Sequence, residues 1–136
     1  MILGIDPGTR KCGYALLPEN GGTPVEIGIV ETPQFGAFAT ALVARHPVRA
    51  IALGGGTHAP PISLALRACG IPVHIVDERE TTLRARFRYF QDNPPKGWRR
   101  WIPRGMLLPP RPIDDYAALL IAERYVEASL LTEPAV

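Results

Sequence analysis

The sequence predicts an α/β protein, one mixed five-stranded sheet with helices on its faces. Three observations carry this. Near the start, three short segments with period-two apolar patterning follow one another across short connections. Beyond them, helical periodicity alternates with short apolar runs, the pattern of parallel strands joined by right-handed crossovers. The length of 136 residues, 46% of them hydrophobic and 21% charged, suits one domain with a real core.

The elements follow in order. Residues 2–5 are Ile and Leu interrupted by Gly4, and they run into Asp6-Pro7-Gly8-Thr9, a strand and its turn. Residues 14–17 form a second strand, and Pro18-Glu19-Asn20-Gly21-Gly22 a loop. Residues 25–32 set Val25, Ile27 and Ile29 against Glu26, Gly28 and Glu31, a third strand that completes an antiparallel meander. The period then changes: Phe35, Phe38, Leu42 and Arg45 share a helical face, and Pro47 stops that helix. Residues 50–53 are a short strand ending in Gly54-Gly55-Gly56. Pro61 suits the first turn of a helix that Gly70 ends. Residues 73–76 form the last strand and stop at Asp77-Glu78. Thr81 or Thr82 caps a third helix, which reaches about residue 91. Segment 92–112 holds six of the fifteen prolines and both tryptophans, a long loop of the kind that is often functional. The longest helix fills residues 113–130.

Composition excludes several classes. Pro and Gly together make 28 of 136 residues, short of a low-complexity chain. No apolar run is long enough for a membrane span, and the start lacks the basic and apolar regions of a secretory signal. Cys12 and Cys69 lie far apart without metal spacing, so a reduced, cytoplasmic chain is expected. The net charge of +2 conceals an uneven distribution. Segment 79–111 carries nine of the fifteen basic residues against Glu80 and Asp92, a local net of +7.

Candidate chemistry sits where acids follow strands, because open α/β sheets bind ligands beyond the carboxyl ends of their strands. Asp6 ends the first strand, and Asp77 and Glu78 follow the last. On the final helix, Glu123, Arg124 and Glu127 mark the solvent side. Asp114 then falls opposite, with Ala118, Ile121, Tyr125 and Ala128, and Asp115 lies near the boundary. A carboxylate facing a core needs a partner or a metal. Each of these acids singly also suits a helix cap or an Asx turn. Three of them together, without paired His or Cys, suit a hard cation, Mg²⁺ or Mn²⁺, and phosphodiester hydrolysis. His46, His58 and His74 show no ligand spacing; His74 reads as a strand residue, and His58, after the triple glycine, is placed at the cleft rim.

Gly8 allows close approach to a ligand, and Thr9 offers a hydroxyl, with Arg10 and Lys11 following. In the basic segment, Arg84, Arg88 and Gln91 share a helical side. Trp98 and Trp101 alternate with Arg99, Arg100 and Arg104, a mix suited to phosphate contacts and base stacking. The same tryptophans can instead pack the loop onto the body.

Together these residues resemble the YqgF family of the ribonuclease H-like superfamily, also described as Holliday junction resolvase-like. Asp6-Pro7-Gly8-Thr9-Arg10-Lys11-Cys12-Gly13-Tyr14-Ala15 looks like the family's strand–turn–strand. Asp77-Glu78-Arg79-Glu80-Thr81-Thr82-Leu83-Arg84-Ala85 is similar to its most specific motif. Ile113-Asp114-Asp115-Tyr116-Ala117-Ala118, with Glu123-Arg124-Tyr125 beyond, looks like its final helix. The resemblance covers nearly the whole chain. It implies a ribonuclease H-like fold with strand order 3-2-1-4-5. The metal-binding and catalytic acids would then be Asp6, Glu78 and Asp114, with Asp77 and Asp115 as second choices. It also implies a nuclease acting on RNA, in maturing the 5′ end of precursor 16S ribosomal RNA. Related RuvC resolvases cut four-way DNA junctions as dimers, so a homodimer is a further implication.

Some positions depart from these patterns. Asp-Pro-Gly at residues 6–8 is closer to RuvC. Gly54-Gly55-Gly56 stands where RuvC has a strand-end Glu, and Ala117 and Ala118 stand where it has a second helix Asp. The expected partner is therefore RNA ahead of branched DNA, without a membrane. Thr9, Arg79, Arg84, Arg88, Trp98, Arg99, Arg100 and Trp101 are expected to touch it. The alternatives are a junction resolvase and a catalytically silent nucleic-acid-binding module. A sugar-kinase-like or actin-like ATPase, whose Asp-Gly-Thr turns also cradle phosphate, would need a second domain, for which the chain is too short.

Overall fold

The computed structural model describes residues 1–20, 22–56, 59–77, 81–101, 109 and 112–132, without the side chains of 81–83, 99 and 129–132. The strands are β1 (Ile2–Asp6), β2 (Lys11–Leu17), β3 (Glu26–Glu31), β4 (Ala50–Gly54) and β5 (Val73–Val76). The helices are α1 (Thr32–Arg45), α2 (Ala59–Ala65), α3 (Thr81–Asp92) and α4 (Asp114–Thr132). Three-residue-per-turn helix covers Leu66–Cys69 and Gly97–Trp101.

The sheet order is β3-β2-β1-β4-β5, as expected. β2 runs antiparallel to β1 and to β3, whereas β4 and β5 extend the sheet in parallel from β1. β2 starts earlier than its apolar run, at Lys11, because Lys11 and Cys12 pair with Glu31 and Val30. α1 follows β3 without a loop, its start helped by a proline in the first turn with φ already helical. The helix expected to end at Gly70 divides in two. α2 tightens into the turn Leu66–Cys69, which closes on Gly70 at φ 68°, its N–H donating to the Arg67 carbonyl. Among the described residues, no helix is long and apolar enough to cross a membrane.

Alternation along each strand sends side chains to two different cores. Leu3, Ile5, Leu16, Ile51 and Leu53 meet Phe35, Ala39 and Leu42 of α1, with Ile62 and Leu66. Ile2, Ala15, Leu17, Ala50 and Ala52 meet Ala118, Leu119, Ile121 and Ala122 of α4. A third cluster joins Ala85, Tyr89 and Phe90 of α3 to Tyr116 and Ala117. Each fully buried large aliphatic or aromatic side chain contributes about 1.5–3 kcal/mol.

α4 therefore lies between the sheet and α3. Residues 115–119 are all buried, so the start of this helix has no solvent side. That revises the helical-face expectation. Asp115, placed near a boundary by a single-face model, is the buried acid, 5% exposed, and Asp114 is half-buried.

Candidate active site

Two glycines bring α4 onto the sheet. A methyl group at Gly4 would overlap the Ala118 carbonyl oxygen and come within 2.7 Å of the Ala122 Cβ. A methyl group at Gly13 would overlap the carbonyl of Asp114 itself. Gly13 is the register partner of Asp6. The first residue of α4 thus rests on the β2 residue that pairs with the last residue of β1. Side-chain alternation also puts Asp6, like Gly4, on the face that α4 covers.

The electrostatics fit this closeness. Burial raises the Asp114 carboxyl above its ordinary pKa; nearby Asp115 adds to the rise, and Lys11 opposes it. Asp115 Oδ1 accepts the Tyr116 amide at 3.0 Å. Tyr116 donates its hydroxyl to Asp92 Oδ2 at 3.0 Å, and its ring meets Tyr89 edge-on at 5.6 Å. These contacts pin the end of α3 to the first turn of α4.

The turn after β1 is fastened from the opposite side. Thr32 donates its hydroxyl to the Gly8 carbonyl at 2.8 Å, and its amide bonds the Arg10 carbonyl at 2.9 Å. Thr9 is exposed on this turn. Nothing in the sequence pattern marks Thr32 for this role except its place between a strand and a helix-starting proline.

At the end of β5, Asp77 is exposed, and its backbone carbonyl accepts a hydrogen bond from Arg124 of α4. β4 lies between β1 and β5, and its end carries no side chain at Gly54, Gly55 or Gly56. Two strand spacings, roughly 9.5 Å, separate the β1 and β5 ends. Glu78 and Arg79 lie outside the described residues, as does His58. Among the described residues, no three His, Cys, Asp or Glu side chains are grouped to hold a metal ion.

The structure thus draws Asp6, Asp114 and Asp115 to one end of the sheet, with Lys11 nearby. The basic residues are distributed differently. Arg84 is exposed on α3, but Arg88 turns to Glu123 of α4, at 2.9 and 3.3 Å. Arg88 is thereby a clamp between helices rather than an outward-facing contact, and Glu123 and Arg124 fasten α4 to its neighbours rather than mark a solvent side. Trp98 and Trp101 do not pack the loop onto the body; they are 73% and 78% exposed. Arg100 lies over the Trp101 ring, 5.3 Å from its centre. The Arg99 side chain is outside the description. His74, on β5, sets its ring against Tyr125 at 5.1 Å, as a strand residue.

No protein-family model matches the chain. Among solved structures, it is similar to Thermus thermophilus RuvC in complex with a Holliday junction substrate, with a TM-score of 0.65 at 16% identity. That match covers 96% of this chain and 95% of the other. The fold is RuvC-like. A second structure of T. thermophilus RuvC matches with the same TM-score and identity, over 96% of each chain. At this identity the likeness speaks for the fold, a ribonuclease H-like one. A segment of 33 residues is 54% identical to the crossover junction endodeoxyribonuclease RuvC of Wolinella succinogenes. That segment spans 22% of this chain and 20% of that protein, about a fifth of the length of the curated relative. These likenesses show the expected fold, with a resemblance to RuvC; none of them points to YqgF.

Proposed function

We propose that the chain is a divalent-metal-dependent nuclease of RuvC type that hydrolyses phosphodiester bonds in branched DNA. The observation that carries this reading is the seating of Asp114 on Gly13, the register partner of Asp6. It brings two acidic residues from distant parts of the chain to one place, backbone beside backbone, on a rigid sheet and helix. Their oxygens, the burial that disfavours a bare Asp114 carboxylate, and the neighbouring Asp115 all suit a hard cation. Asp6, Asp114 and Glu78 would hold Mg²⁺ or Mn²⁺, with Asp115 and Asp77 next in line.

When bound, such an ion supplies Lewis-acid polarisation of the phosphodiester and acidifies water. The chain's own part is positioning. Register fixes Asp6, the contact with Gly13 fixes the backbone of Asp114, and the bond from Arg124 holds the carbonyl of Asp77, the residue before Glu78 in sequence. Lys11, exposed at the start of β2, would meet phosphate oxygens.

The substrate reading reverses the order expected from sequence, which put RNA first. Support for branched DNA comes from RuvC structures matched over nearly their whole length, one of them holding a Holliday junction. The likenesses to RuvC do not speak for an RNA preference or ribosomal RNA processing.

The deciding experiment offers four-way junction, matched duplex and single-stranded RNA to the chain with Mg²⁺ or Mn²⁺. Paired incision of the junction is expected. Asp6→Asn is expected to reduce cleavage roughly a thousandfold or more while junction binding survives, the scale on which removal of one member of a catalytic unit acts. Cleavage of RNA with the junction left intact would restore the first expectation. Binding without cleavage in either metal would select the silent module.

A further inference from the structure

We infer that the turn Gly97–Trp101 is a stacking platform for unpaired nucleotides of the substrate strand, an inference that rests on the proposed nuclease reading for the identity of the ligand. Two observations carry it independently of the acids. Trp98 and Trp101 are 73% and 78% exposed, an exposure that water disfavours for rings of this size. They are also three apart in a helix of three residues per turn, where such positions eclipse one another. Both rings therefore project from one side of the turn, about 6 Å apart along its axis. Stacked bases repeat every ~3.4 Å along a strand, so the interval is close to that of a single intercalated base.

Charge selects the occupant. Arg100 covers part of Trp101 at 5.3 Å, which sets a cation beside the rings. The surrounding segment 79–111 has a net charge of +7. A polyanion with aromatic bases meets both features, whereas a second copy of this segment would bring +7 against +7. Every base offers a π-face, so the platform reads strandedness rather than sequence.

Position links the platform to the acids. The hydrogen bond from Tyr116 to Asp92 holds the end of α3 against the first turn of α4. From Asp92 to Trp98 the chain has six residue steps, which reach at most about 21 Å. Nucleotides freed from pairing near a branch point would thus be held within a short reach of Asp6 and Asp114, while paired strands would find no face to stack on.

The two tryptophans of the turn are the only two in the sequence, so emission excited selectively from tryptophan reports on this site alone. Titration with a single-stranded oligonucleotide, without divalent metal, is expected to quench that emission, and matched duplex to quench it much less. Trp98→Ala and Trp101→Ala are each expected to weaken single-strand binding roughly tenfold or more, with duplex binding changed less than about twofold. Trp101→Phe is expected to restore most of the loss. Circular dichroism of each variant verifies folding. Emission unchanged at saturating single strand, or equal losses for both substrates, overturns the platform. Variants that convert a dimer to monomers in sedimentation also overturn it, by assigning the rings to self-association. Failure of the nuclease reading is separate: it appears as absent cleavage, whatever the emission shows.

Discussion

The two faces of the sheet are built from different materials. The face under α1 is filled with large side chains, including Leu3, Ile5, Phe35, Leu42, Ile51 and Leu53, all at most 1% exposed. The face under α4 also buries Ile2, Leu17, Leu119 and Ile121, but where the helix meets the middle strands it is lined with small residues: Gly4, Gly13, Ala15, Ala52, Ala118 and Ala122. Large side chains contribute more burial energy per residue. Small ones let a helix backbone come down onto strands, which is what sets Asp114 beside the β1 end. The first face is built for burial, and the second lets the backbone of α4 rest on the strands beside Asp6.

That contrast can be broken by matched variants. Gly13→Ala puts a methyl group where the Asp114 carbonyl stands. Overpacking of this kind costs about 1–3 kcal/mol, and displacing a reacting group by an ångström can cost around a hundredfold in rate. Gly13→Ala is therefore expected to lower both the unfolding midpoint and, per folded molecule, junction cleavage by about that factor. Leu42→Ala on the other face is expected to cost about 2–5 kcal/mol in denaturant unfolding. Its cleavage rate per folded molecule should match that of the parent chain. If the two variants lose activity only in proportion to stability, the faces do not divide the work in this way.

The sequence carried the architecture because each of its signals is local. Strand alternation, Pro47 and Gly70 act within a few residues, and the order 3-2-1-4-5 followed from the resemblance they supported. Asp6 was legible for the same reason, as an acid directly after an apolar strand. The role of Gly13 was not, since a glycine in a strand has many causes and its partner lies about a hundred residues away. Asp115 was misplaced because a helical-wheel argument assumes one buried side, and α4 is covered by the sheet and by α3. Arg88 fits a nucleic-acid contact by composition, yet Glu123 lies within reach once α3 packs on α4. Pairing of that kind depends on tertiary contact and leaves no trace in spacing.

The finest distinction between the faces concerns protons, and its effect is the smallest. Burial holds the Asp114 carboxyl above its ordinary value of 3.8. Between that value and the raised one, the folded chain binds a proton that the unfolded chain has released. Stability then falls as pH rises through this window, and the penalty stands in full above it. Asp114→Asn removes the ionisable group. Without metal, its melting midpoint is expected above the parent's at neutral pH, and the gain should vanish below the unfolded value. If Asp114 is a ligand as proposed, saturating Mn²⁺ should reverse the order, because an ion bound only by the folded state stabilises it by mass action. Thermal melts of both proteins across about pH 3 to 8, with chelator and with Mn²⁺, measure this directly. Equal midpoints in chelator at neutral pH would mean a solvated Asp114 carboxyl and would remove this distinction.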